Sequence, residues 1–246
     1  MPVRTGVTTA SDRGPWPHPA ADPSRFFRRW LGFVTLGEGA GFAMAAAAGV
    51  ASAVLQPSPA LAYAVVIAAG AIEGGLLGVG QLLALRALRL ESSVLRRWPV
   101  LTSLGAVVAW AIGLLPSTLP DLDWSSPLVW VGAGLLGLVL LAAIPLAQLI
   151  LLRRMVLRPW RWLPANILGW LLGIGWTLVV SPLVDSSTPI PQLLILYVVA
   201  GVLMALTVAA ATGLCWTSWI RHGDLIQTAS TPSPASQPEG QRGGDM

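Results

Sequence analysis

Arg29-Trp30-Leu31-Gly32-Phe33-Val34-Thr35-Leu36-Gly37-Glu38 holds a skeleton, Arg-Trp and then Leu-Gly after five intervening residues, that the chain uses three times. It returns as Arg97-Trp98 with Leu104-Gly105 and as Arg161-Trp162 with Leu168-Gly169. Small residues follow one turn beyond each glycine, at Gly41, Ala109 and Gly173. Positions four apart share a helical face, so each copy presents a groove that admits another backbone. Only the first copy places a carboxylate directly after its glycine: Glu38 stands where the others have Ala106 and Trp170.

The surrounding composition sets the class. Of 246 residues, 54% are hydrophobic and 11% charged, with a mean hydropathy of +0.70, more apolar surface than one soluble core of this length can hide. The chain reads as an all-α, polytopic membrane protein. Six apolar stretches, at 30–55, 61–85, 100–119, 128–152, 163–184 and 192–220, reach the 20 or so residues that a bilayer requires. Pro116, Pro145 and Pro182 within them predict kinks or ends. The polar tails, 1–24 and 223–246, are rich in Pro, Ser and Gly and predict disorder. Residues 25–222 form the membrane domain.

Charge fixes the sides. All fifteen basic residues are arginine, and they fall in the N-terminal tail, in 86–97, in 153–161 and in the C-terminal tail. The alternate connections carry Asp121, Asp123 and Asp185 and no arginine. The positive-inside rule puts both termini in the cytoplasm and the protein in the cell membrane. The net charge of +4 thus reflects topology and does not imply nucleic acid as a partner. Arg86, Arg153 and Arg161 read as anchors for anionic lipid headgroups. Trp98, Trp160, Trp162 and Trp219 on the cytoplasmic side, with Trp124 and Trp130 on the other, read as aromatic belts. Ala51-Ser52-Ala53 resembles a signal-cleavage site, but the first span belongs to the repeat and is kept in the mature protein.

Trp30, Trp98 and Trp162 are 68 and 64 residues apart, which predicts a two-helix hairpin used three times, at 30–85, 98–152 and 162–221. Each unit crosses twice, so all copies share one orientation about an axis along the membrane normal. The second and fourth spans end alike, in Gln81 to Arg86 and Gln148 to Arg153, whereas the sixth has Trp216 in the glutamine's register. Gly78 with Gln81 and Arg86, a short basic loop, then Trp98 with Leu104-Gly105, together resemble a group of small bacterial six-span integral membrane proteins. That resemblance implies the topology and transfers no site. Three hairpins also invite comparison with mitochondrial carriers, but no odd span contains the Pro-x-acid-x-x-base signature of that family.

Glu38 and Glu73 are the only acids within the spans. Counted from Arg29 and Arg86 at about 1.5 Å per residue, they lie at similar depth on adjacent antiparallel helices. Two carboxylates there would share a proton or meet a partner, because an unpaired charge at mid-membrane is costly. Gln81, two turns after Glu73, and Thr35, one turn before Glu38, extend the pair into a polar track. The alternative for Gln81 and Gln148, and the sufficient reading of Thr102, Asn166, Thr207 and Thr212, is interhelical hydrogen bonding.

Catalysis finds little support. His18 and His222 lie in or beside the tails, Cys215 is the only cysteine, and there is no nucleophile elbow or phosphate loop. No metal site and no cofactor are expected. The leading expectation is a small proton-linked transporter or ion conduit with Glu38 and Glu73 as its proton or cation site. The alternative is a membrane scaffold or assembly protein whose glutamates only pack the bundle. Either form is compatible with a homo-oligomer.

Overall fold

The computed structural model describes residues 22–88, 90–119, 121–183 and 188–226. Asp185 and the disorder expected for 1–21 and 227–246 lie outside the described residues. Six long helices carry the chain: α1 (Pro23–Leu55), α2 (Pro59–Leu85), α3 (Ser92–Thr118), α4 (Pro127–Leu152), α5 (Trp162–Val180) and α6 (Ile190–His222). All six are long and apolar enough to cross a membrane. Short 3-10 turns follow α2 at Arg86–Leu88, precede α5 at Pro159–Arg161 and follow it at Ser181–Leu183.

Proline starts several of these helices. Pro23, Pro59 and Pro127 occupy their first turns, where the missing N–H would have no helical partner and the ring presets the helical φ. Asp22 caps α1, its Oδ1 accepting from the backbone N–H of Ser24 at 2.9 Å and from the Ser24 hydroxyl at 2.7 Å. Those bonds hold its carboxyl below the usual carboxylate range. The three prolines expected to bend or end the spans behave differently. Pro116 lies in the last turn of α3, Pro182 in the 3-10 turn that ends α5, and α4 continues past Pro145.

Each helix packs against its neighbours in the chain, and α6 packs back against α1, closing a ring of six. The groove glycines set the closest approaches. A Cβ on Gly37 would fall 2.6 Å from the Leu76 carbonyl oxygen, and one on Gly105 would fall 2.7 Å from Cα of Ile144. Gly169 in turn faces Cα of Val208 at 3.4 Å. The glycine after each repeated Trp thus meets the next helix of the chain: α1 on α2, α3 on α4, α5 on α6.

The core lies at the arginine-rich end of the ring. Trp30, Trp98 and Trp162 are fully buried and surround Trp216, with ring centroids 5.9, 6.4 and 6.1 Å from it. Phe26 and Trp219 complete the cluster. The aromatic belt expected on this side is therefore corrected for Trp98, Trp162 and Trp219, which are core residues; Trp160 alone of the four is exposed, at 65%. Indole rings stack well on one another, and the N–H groups of Trp98 and Trp162 find partners in Gln81 and Gln148 inside the ring, while Trp219 is held by its ring contacts with Trp162 and Trp216. Trp124 and Trp130 are exposed as expected.

A second correction concerns the start of the C-terminal tail. Gly223 takes a left-handed φ of 68°, ending α6, and 224–226 pair with the loop after α4. The Leu157 N–H donates to the Asp224 carbonyl at 2.8 Å, and the Ile226 N–H to the Met155 carbonyl at 2.9 Å. Arg161 is engaged there too, donating to the Ser218 hydroxyl at 2.9 Å and lying 3.8 Å from the Asp224 carboxylate.

Candidate functional site

The ring encloses a cavity of about 320 Å³ to which all six helices contribute. Its lining follows the sequence register. The residue after each groove glycine faces it, namely Glu38, Ala106 and Trp170, and one turn further on so do Phe42, Trp110 and Ile174. The even-numbered helices add Glu73, Leu140 and Met204. The cavity lies about midway along the helices, on the far side of the tryptophan cluster from the basic loops.

Glu38 and Glu73 are brought together, as their depths predict. Each is the other's electrostatic neighbour across the α1/α2 contact. Their surroundings differ. Glu73 accepts a hydrogen bond on Oε2 from the Trp110 indole N–H at 2.8 Å, and the groove glycine Gly41 packs on its backbone. Glu38 is fully buried, and its carboxyl meets the Glu73 carboxyl across the helix contact. The side chain lines the cavity without arginine or histidine beside it. Two buried carboxyls in contact are sustained by a shared proton or by a cation brought to them.

No family model, curated protein or solved structure matches this chain. The chemistry of the cavity rests on its own residues.

The polar track is corrected. Gln81 is fully buried among the tryptophans, and its Oε1 accepts from the Trp98 indole N–H and from Gln148 Nε2, both at 2.7 Å. Gln148 Nε2 also donates to the Thr102 hydroxyl at 2.8 Å, and its Oε1 accepts from the Trp162 indole N–H at 2.8 Å. Gln81 therefore belongs to a closed network two turns from Glu73, with the apolar Leu77 between them. One indole donor and a second amide outcompete any link along α2. Thr35, the other member expected, is not in the lining, and its hydroxyl has no hydrogen-bond partner.

The interhelical reading fits the remaining polar residues better. Trp30 donates its indole N–H to the Thr212 hydroxyl at 3.0 Å and Trp176 to Thr207 at 3.1 Å, whereas Asn166 bonds the Trp162 carbonyl within its own helix. Thr212 exposes a register missed in the sequence. It receives the Trp30 indole as Gln81 receives Trp98 and Gln148 receives Trp162, one turn before Trp216. That shift places Met204 where α2 has Glu73 and α4 has Leu140, and it frees Trp216 for the centre of the cluster.

Sequence reasoning also missed Trp110 and Trp170. Trp170 lines the cavity and its indole N–H lacks a partner. Their signal was present, because they sit at the positions equivalent to Phe42 and Glu38.

Proposed function

We propose that this chain is a multi-pass protein of the cytoplasmic membrane, with both termini in the cytoplasm, built from a two-helix hairpin used three times. Its activity is proton-linked transport of a small solute through the central cavity, with Glu38 as the exchange site and Glu73 as its partner. The arginine distribution supports the orientation, and the matching register of the lining on α1, α3 and α5 supports the duplication. The observation that carries the transport reading is the Glu38–Glu73 pair, two carboxyls in contact in the wall of a cavity lined by six helices with no basic side chain beside them. In this cycle Glu38 holds a proton when the cavity is empty and releases it when solute binds. Binding and proton exchange suffice, and no catalytic step is invoked.

One observation favours the scaffold alternative. Glu73 is bonded to Trp110 and packed under Gly41, as a structural residue would be. Reconstitution separates the two readings. Proteoliposomes carrying an internal pH-sensitive dye should show pH-dependent flux with the wild type and none with the double variant Glu38→Gln/Glu73→Gln, while both variant and wild type elute alike from a sizing column. Wild-type flux from the double variant would remove the transport reading.

A further inference from the structure

Resting on that reading, we propose that the solute is a lipophilic organic cation, drawn from the bilayer through a cleft between α3 and α4 and held by the Glu38–Glu73 carboxyl pair.

The walls exclude the simpler solutes. Around Glu38 and Glu73 the lining is apolar, with Phe42, Leu77, Leu141, Ile144 and Met204 among its members. A metal or alkali cation stripped of water needs several oxygen ligands at once. Here one oxygen of Glu73 is taken by Trp110, and the Thr177 hydroxyl, which also lines the cavity, donates to its own helix at the Ile174 carbonyl, 2.7 Å away. The oxygens left on one carboxyl pair do not replace a hydration shell. An anion would meet two acids and no basic side chain.

An organic cation answers each feature. Its apolar body matches the walls, and its charge meets the Glu38–Glu73 pair, taking the place of the proton that the two carboxyls would otherwise share. Phe42, Trp110 and Trp170 also line the cavity, and aromatic rings attract an ammonium group. A cavity of about 320 Å³ is at the small end of the range for organic ligands, suited to one aromatic ring with a substituted ammonium.

The route has the same character. A second cavity, also about 320 Å³, lies between α3 and α4 and shares Gly113 and Leu140 with the first. Its lining runs through Leu119 and Leu122 to Trp124, which is 44% exposed. No ionisable side chain lines it. A hydrated ion gains nothing along such a path, whereas a solute already partitioned into the bilayer crosses it without losing apolar contact.

The test uses the full chain in lipid nanodiscs and radiolabelled benzyltrimethylammonium as the probe. Wild-type protein should bind it, and Glu38→Gln should weaken binding by about tenfold or more, the effect of losing a single strong contact. Neopentylbenzene, the neutral isostere with carbon in place of nitrogen, should fail to displace the probe, as should sodium. That competition needs only the wild type, so it holds even if the variant misfolds. Displacement by neopentylbenzene equal to that by the unlabelled cation would overturn the proposal, and so would unchanged binding to Glu38→Gln. Absence of probe binding would overturn it as well. Dye-reported flux then locates the failure: Glu38-dependent flux without probe binding removes the solute class alone, and loss of both removes the transport reading too.

Discussion

The two ends of the ring hold different kinds of buried polar group. At the arginine-rich end, Gln81, Gln148, Thr102, Thr212 and three indole N–H groups are joined in hydrogen bonds of 2.7 to 3.0 Å, around the unbonded indole N–H groups of Trp216 and Trp219. At the cavity, two carboxyls, Glu38 and Glu73, have each other as neighbours and Trp170 keeps a bare N–H. Satisfied networks hold helices in one register. Unsatisfied groups, at a site roomy enough for a ligand, mark where the protein has left an interaction unfinished. The same repeated skeleton supplies both ends, since the Trp of each copy builds the closed network and the residue after its glycine lines the cavity.

The largest effect should come from the centre of the closed end. Trp216 is fully buried and touches four other tryptophans. Trp216→Ala leaves a large void, and the expected loss is about 3–5 kcal/mol in reversible detergent unfolding. A loss of a few tenths would mean that the cluster does not hold the ring.

Next comes the polar network. Gln148→Leu keeps the volume and removes the partners of Trp162, Gln81 and Thr102 together, for an expected loss of about 1–3 kcal/mol by the same unfolding measurement. A neutral result would break the contrast between the two ends, because the paired groups would then be no more structural than the unpaired ones.

A smaller change sharpens the contrast from the cavity side. Gly113 lies where the two cavities meet, and a Cβ there meets nothing nearer than Leu140 Cδ1 at 3.4 Å. Gly113→Leu should leave the unfolding free energy within about 1 kcal/mol of wild type and slow association of the benzyltrimethylammonium probe severalfold. Unchanged association kinetics would place the route elsewhere in the ring.

Much of this arrangement was legible in the chain, for identifiable reasons. The six helices follow from hydropathy, because an apolar run of bilayer length has few other uses. Glu38 and Glu73 were placed together by depth alone, since antiparallel neighbours at 1.5 Å per residue leave little freedom. The tryptophans were misread because Trp suits an interface and a core equally well, and only the neighbouring glutamines decide between them. Gln81 was misassigned for a related cause. Its position on α2 matches Glu73, but its partners come from α3 and α4, and helix rotation is not written in the spacing of one helix. The register of α6 was hidden because Thr212 replaces the glutamine one turn early, so alignment on Arg221 pointed to Trp216. The cavity itself depends on all six rotations at once, although each of its odd-helix positions carried the same offset from Trp.

The smallest expected effect is the most informative one. If Glu38 is kept for a solute and not for the fold, then Glu38→Gln replaces a buried acid with a neutral amide of the same shape, whose NH2 can still donate to Glu73. Reversible detergent unfolding should show stability within about 0.5 kcal/mol of wild type, or higher, as is common when a functional group is removed from a site it strains. A loss of about 1–3 kcal/mol, equal to that of Gln148→Leu, would show Glu38 to be as structural as the network below it and would contradict the division between the two ends of the ring.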